Sequence, residues 1–329
     1  MKALRFDRVG DPAEVLTLQE VPVPQPGPGQ VRVRMLACPL NPSDLLYVRG
    51  AYGIRPTLPA TPGFEGVGIV EASGGGLLGR LWQGRRVAVL NAQGGNWQEQ
   101  VVVPARQVVP VSRQIPDDQA AVFFVNPASA LVLTRYILRI PPGAWLLQTA
   151  AGSALGRMIV RLGHRDGFRT INVVRRREQA DELLRLGGDA VICTAEESIE
   201  DRVRAITKGA KVVYALDAVG GATGSAAVRS LAPRGHLVVY GTLSGEPLTI
   251  DARVLMTGHK RVEGFWLSNW VREQSAATML NLFRQIRKYL ARGVLGTEIA
   301  ATFPLEQFQQ AVKQAETPGR DGKVLLRFQ

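Results

Sequence analysis

Cysteine and histidine are scarce in this chain of 329 residues: Cys38, Cys193, His164, His236 and His259 are all there are. Two thiols cannot build a disulfide framework or a four-cysteine zinc site. The five donors are scattered without the spacing by which ligands converge on one metal, so each histidine reads as a surface or packed residue. Long apolar runs are lacking too. "AAVFFV" is among the longest and suits a buried strand, far short of the roughly 18 to 20 residues that span a bilayer. No membrane association is expected. The opening "MKALRFDRVG" has no apolar signal core and no Arg/Ser-rich leader, which leads to the expectation of a cytoplasmic protein.

Acidic residues are the minority charge, 28 against 40 Lys and Arg, for a formal net charge of +12. Basic clusters stand at "VVRRRE", "DRVRAITKGAK" and "FRQIRKYLARG". A basic surface favours anionic partners: nucleotide phosphates, a phosphopantetheine carrier or nucleic acid. The last two clusters equally suit solvated helix faces. No paired Cys/His finger and no aromatic RNP-like strand accompanies them, so no nucleic-acid partner is expected.

The chain has two textures. Up to about residue 120, short β-rich runs ("KALRF", "VRVRML", "GVGIVEA", "RRVAVLN", "EQVVVPA") alternate with turns such as "VPVPQPGPGQ", "SGGGLLG" and "NAQGGNW". After the helical stretch "IPDDQAAVFFVNPASALVLTRYIL", strands alternate with helices: "AWLLQTA", "TINVV", "AVICT", "VVYALDAVG" and "HLVVYGTL" are separated by amphipathic segments. That alternation predicts an α/β domain with a doubly wound parallel sheet. The tail, from an amphipathic "AATMLNLFRQIRKYLARG" to "GKVLLRF", is assigned to the first domain. The expected division is therefore 1–120 with 265–329 around an inserted 121–264.

The turn after "AWLLQ" reads "TAAGSALGR". Against G-x-G-x-x-G, Ala151 and Ser153 stand at the first two glycine positions and Gly156 at the third. Small residues there let the backbone approach a pyrophosphate at a helix N-terminus, and Gly156 lets helix and strand pack closely. At the end of the next strand, where an NAD enzyme offers an acid to the ribose hydroxyl, stand Arg175, Arg176 and Arg177. A guanidinium pairs with a 2′-phosphate and cannot accept from a hydroxyl, so the reading is NADPH. The alternative, a basic helix start, is electrostatically unfavourable.

A β-rich domain followed by a doubly wound one resembles the medium-chain dehydrogenase/reductase superfamily, from "KALRF" to "GKVLL". The resemblance implies a GroES-like catalytic domain and a Rossmann NADPH-binding domain. Zinc alcohol dehydrogenases of that superfamily carry Cys and His ligands where this chain has Asn41 and Phe64, so no metal is expected. Without a metal to polarise a carbonyl, activated alkenes and quinones are the fitting hydride acceptors. "LNPSDLLYVRGAYGIRPTLPATPGFEGVG", "VNPASA" and "GFWLSNW" look like the 2-enoyl thioester reductases of fatty-acid synthesis.

In that family a tyrosine in the loop after N-P-S-D is catalytic, and Tyr52 holds the position. Tyr47 is its rival and is expected to pack. The resemblance further implies that Asn41 positions the substrate or Tyr52. It places Asn126 and Ser129 near the nicotinamide, with Ser129 standing where Thr is usual. Tyr240, Gly241, Phe265 and Trp266 would line the cofactor and substrate tunnel, although "GFW" also suits a core stripe. Lys323 would stand near the cofactor phosphate or on the surface, and Glu65 would be structural. Two other functions stay open, an NADPH quinone or enone reductase and a non-catalytic NADPH-binding regulator. The enoyl thioester would arrive on CoA or acyl carrier protein, and a homodimer is expected from the habit of related nucleotide domains.

Overall fold

Val31, Val33 and Met35 alternate with Arg32 and Arg34, and period-two alternation of this kind demands a strand with one face in a core. The computed structural model, which describes every residue except 318, 320 and 329, contains that strand as Gln30–Pro39. Its valines and Met35 are fully buried, while Arg34 reaches across to Glu71 on the next strand at 2.7 Å. The strand lies inside a seven-stranded sheet ordered Ile299–Pro304, Lys323–Arg327, Gln30–Pro39, Glu65–Ser73, Arg86–Leu90 and Val108–Pro110, with Gln100–Pro104 also paired to Gln30–Pro39. All its pairings are antiparallel except that between Ile299–Pro304 and Lys323–Arg327. Trp97, Phe6 and Met35 are among the largest side chains of the core beside it.

The second sheet has six strands, all parallel, in the order Ala190–Cys193, Arg169–Val174, Trp145–Gln148, Val212–Asp217, His236–Val239 and Arg261–Gly264. In chain order this is 3-2-1-4-5-6, the dinucleotide-binding Rossmann arrangement. Helices cover both faces, so its strands read as apolar runs rather than alternating ones: Leu146, Leu147, Ile171, Val173, Leu216, Leu237 and Val238 are all buried.

The chain divides into two units, Met1–Val125 with Gly296–Gln329, and Asn126–Leu295. This corrects the expected boundary at 264. The helices Leu267–Arg272 and Ala276–Leu290 belong with the parallel sheet, not with the first domain. The physical reason is what the long helix packs on: Leu282 and Ile286 are fully buried, and Arg135 donates to Gln285 at 2.7 Å and to Tyr289 at 3.0 Å. Arg165 stacks over the Tyr289 ring as well. A last parallel strand, Arg261–Gly264, extends the sheet beyond the strands expected from the sequence.

Candidate active site

Strand Gln30–Pro39 leads into Asn41, which caps the short helix Pro42–Val48. Pro42 suits the first helical turn, where its missing N–H costs nothing. Asp44 accepts from the Asn41 N–H at 2.7 Å and from the Phe64 N–H at 3.0 Å, so one carboxyl joins the helix start to the loop ahead of strand Glu65–Ser73. That loop is tied down at two further points. Ala60 pairs with Phe6, and Pro62 O accepts from Trp97 N at 2.9 Å. Gly63 sits at φ +101°, and a Cβ there would meet Trp97 Cδ1 at 2.5 Å, so only glycine lets the chain pass.

Between these anchors lies Tyr52, half-buried with its ring against Phe64, centroids 5.3 Å apart. Tyr47 is the packed one of the two tyrosines. It is 4% exposed, meets Phe6 and Phe64 edge to face, and donates its hydroxyl to Gln93 O at 3.3 Å.

Beneath them is a buried polar cluster. Asn41 donates through Nδ2 to Glu65 Oε1 at 3.0 Å and accepts from Lys323 Nζ. Glu65 Oε2 accepts from the N–H groups of Val125 at 2.9 Å and Phe124 at 3.3 Å. Lys323 is therefore a buried member of this cluster and not a surface lysine. It is 4% exposed, because a buried ammonium needs buried counter-charge and this cluster supplies it. Two carboxylates and one ammonium leave one negative charge in excess, which a single proton removes. Burial pushes Asp44 up to about 7, against the pull of its two backbone donors, with the charge of Glu65 adding to the rise. Glu65 is raised by burial too. Asn41 is thus a hub of support with its amide spent inside the protein, and Asp44 is a member that sequence reasoning passed over. Its only outward signal is the acid in "NPSD".

In the other unit the expected cofactor residues gather at the carboxyl ends of the parallel strands, where open α/β sheets bind ligands. After Trp145–Gln148 comes the small-residue turn. Ser153 caps helix Ala154–Asp166 by accepting from Gly156 N at 3.1 Å, and a Cβ on Gly156 would lie 2.4 Å from Ala151 O. After Arg169–Val174 come the arginines. Arg177 pairs with Glu196 at 2.7 Å, whereas Arg175 and Arg176 make no ion pair among the described residues. After His236–Val239 come Tyr240 and Gly241, and after Arg261–Gly264 come Phe265 and Trp266. The Tyr240 hydroxyl is buried without a hydrogen-bond partner among the described residues, and burial raises its pKa. Asn126 and Ser129 ride on helix Val125–Leu131.

Two supports of this edge were not legible beforehand. Gln148 donates to Gly156 O at 3.1 Å and to Asn172 Oδ1 at 2.7 Å, bracing the turn from two adjacent strands. Asp217 accepts from Thr149 Oγ1 at 2.6 Å and Gly220 N at 2.9 Å. These features fit a phosphorylated dinucleotide: a backbone cradle that a side chain would fill, two arginines without ion pairs, and an orphaned hydroxyl.

Residues 27–113 match the family model described as the alcohol dehydrogenase GroES-like domain, and residues 154–285 the one described as zinc-binding dehydrogenase. The chain is 33% identical to the mitochondrial enoyl-[acyl-carrier-protein] reductase of Rattus norvegicus, over 99% of this chain and 88% of the rat enzyme. A Bacillus thuringiensis crystal structure, that of a proposed NADPH:quinone reductase, superposes with a TM-score of 0.94 at 34% identity, covering 99% of this chain and 98% of that one. The Etr1p/NADP/crotonyl-CoA complex gives a TM-score of 0.85 at 25% identity, with 99% of each chain covered. The rat enzyme and its matched counterparts as far as Schizosaccharomyces pombe are all named mitochondrial. That overturns the expectation of a cytoplasmic protein.

The zinc of one family description finds no donor set among the described residues. Among the described residues no three His, Cys, Asp or Glu side chains come together to hold a metal ion. The nearest donors are already engaged: Cys38 donates to Asn96 O at 3.2 Å, and Asp44 and Glu65 hold the backbone and Asn41 as described. The fold, the rat enzyme matched over nearly all of the chain and this missing donor set lead to one assignment. The chain belongs to the medium-chain dehydrogenase/reductases, in the zinc-independent branch related to the mitochondrial enoyl reductases and the quinone oxidoreductases.

Proposed function

We propose that this protein reduces the double bond of trans-2-enoyl thioesters with NADPH, yielding the saturated acyl thioester. The observation that carries this reading is the likeness to the rat enoyl reductase over 99% of the chain. The NADP and crotonyl-CoA of the Etr1p complex agree with it.

When bound, NADPH supplies a hydride to the β-carbon. The turn at Ala151–Ser153 and the N-terminus of helix Ala154–Asp166 would hold the pyrophosphate, and Arg175 and Arg176 would pair with the 2′-phosphate. Asn126 and Ser129 would orient the nicotinamide, and Tyr240, Gly241, Phe265 and Trp266 would line the ring and acyl path. Hydride addition to the β-carbon would leave negative charge on the thioester oxygen. A phenol ordinarily ionises at about pH 10 and is a donor at neutral pH. Tyr52 O–H donates to that oxygen and stabilises the enolate. The α-carbon then takes a proton, from Tyr52 or through water, which completes the addition of hydride and proton across the double bond. Asn41, Asp44 and Phe64 are positioning residues that set the Tyr52 loop.

The test is NADPH oxidation with crotonyl-CoA beside a quinone panel. Turnover of the thioester is expected. Rapid quinone reduction with no thioester turnover would instead establish the second reading, a quinone reductase, which the Bacillus thuringiensis likeness favours. A homodimer accompanies the proposal, with two copies meeting at the edge strand Arg261–Gly264. A single-chain mass in light scattering would refute it.

A further inference from the structure

The helix Ala276–Leu290 turns Leu282, Ile286 and Tyr289 inward. Its other face is exposed. Leu280 is 64% exposed, and Arg284 and Lys288 follow at four-residue spacing on the same side, with Arg292 just past the helix end. Some exposed arginines of the same unit have carboxylates within reach: Arg177 has Glu196, Arg202 has Glu197, Arg204 has Asp201 and Arg229 has Glu200, whereas Arg175 and Arg185 have none among the described residues. Here the chain holds no Asp or Glu between Glu273 and Glu298. Arg284, Lys288 and Arg292 accordingly make no ion pair among the described residues. Like charges at this spacing repel and weaken a helix. The helix dipole compensates only those in the last turn. The row of cations is thus kept at a cost to the helix itself.

We propose that this face docks an acidic acyl carrier protein, Leu280 entering an apolar site on it and Arg284, Lys288 and Arg292 meeting its carboxylates. The inference rests on the enoyl-thioester reading and selects the carrier form of that substrate. Charge complementarity sets the sign of the partner. The exposed leucine at the head of the row argues for an amphipathic protein helix, because a phosphate backbone offers it no apolar counterpart.

The test uses the full-length enzyme, a bacterial holo acyl carrier protein, its crotonyl thioester and crotonyl-CoA. For the variant Arg284→Glu/Lys288→Glu/Arg292→Glu, KM for the carrier thioester is expected to rise at least tenfold, with kcat and KM for crotonyl-CoA within twofold of wild type. The wild-type KM for the carrier thioester should also climb with salt, and that of the variant should not. The milder Arg284→Gln/Lys288→Gln and Leu280→Ser variants should shift KM in the same direction. Unchanged KM for the carrier thioester in the triple variant overturns the proposal. Fluorescence anisotropy of labelled holo carrier protein reads docking without turnover. If neither crotonyl-CoA nor the crotonyl carrier thioester is turned over, the reductase reading falls while docking is still decided. Anionic vesicles or duplex DNA bound through these cations, with the carrier protein unbound, also overturns it.

Discussion

In the proposed function Tyr52 and Asp44 act at the smallest scale, one on the substrate and one on the loop that presents it. Tyr52→Phe removes the donor and keeps the ring against Phe64. In crotonyl-CoA assays kcat should fall about a hundredfold, the size of a lost oxyanion donor, with KM for NADPH unchanged. Asp44 makes a prediction about stability. Its carboxyl is held at about 7 when folded, against an ordinary 3.8. The folded state therefore keeps a proton that the unfolded chain releases at about pH 4. This stabilisation is fully present below the unfolded value and is lost as pH rises through about 7. Thermal scans from pH 5 to 8 should show Tm falling more steeply in wild type than in Asp44→Asn. That variant should itself start lower by about 1–2 kcal/mol, because one of the two N–H donors loses its acceptor. Parallel pH profiles would refute the assignment of the proton to Asp44.

At the scale of elements, the proposed function gives the turn and the arginine-bearing strand end two separate parts in cofactor recognition. Gly156→Val drives a side chain into Ala151 O, 2.4 Å from where its Cβ would stand. It should abolish NADPH and NADH binding alike, as read by cofactor fluorescence. Arg175→Ser/Arg176→Ser should instead raise Kd for NADPH about tenfold or more while sparing NADH, since a charge-assisted hydrogen bond contributes about 1.5–3 kcal/mol. Arg177→Ser should do less, because Arg177 already faces Glu196.

The same elements show where sequence reading works. "VRVRML" and "TINVV" announce their strands because burial repeats at every second residue or runs unbroken. Strand Arg261–Gly264 escapes because four residues with a charge at each of two positions carry too little pattern. The amphipathicity of Ala276–Leu290 identifies a buried face and cannot name the body it packs on, which is how the domain boundary slipped. Tyr52 is singled out through its neighbours in "NPSD" and "PGFEG", whereas the cluster beneath it leaves no such pattern in the sequence. Lys323 lies far along the chain from Asn41, and only the sheet brings them together.

For the whole molecule, a ligand that binds only the folded form must raise its stability. At a hundredfold excess over Kd, NADPH should add about 2.7 kcal/mol and shift Tm upward by a few degrees, and the Arg175→Ser/Arg176→Ser variant should lose most of that shift at the same concentration. Differential scanning fluorimetry checks this without any substrate.

The return of the chain also bears on its synthesis. Every strand of the parallel sheet lies between Trp145 and Gly264, so that sheet can close while the ribosome is still at work. The antiparallel sheet cannot. Leu325 and Leu326 must come back to Pro39 and Cys38, and Lys323 to Asn41, before it is whole. Ala37–Pro39 thus waits long for its partner, lacking one side of its pairing until Lys323–Arg327 has been made, while Gln30–Arg34 can already pair with Gln100–Pro104. A nascent chain arrested after Leu295 should resist protease across the parallel sheet and be cut readily before Val125.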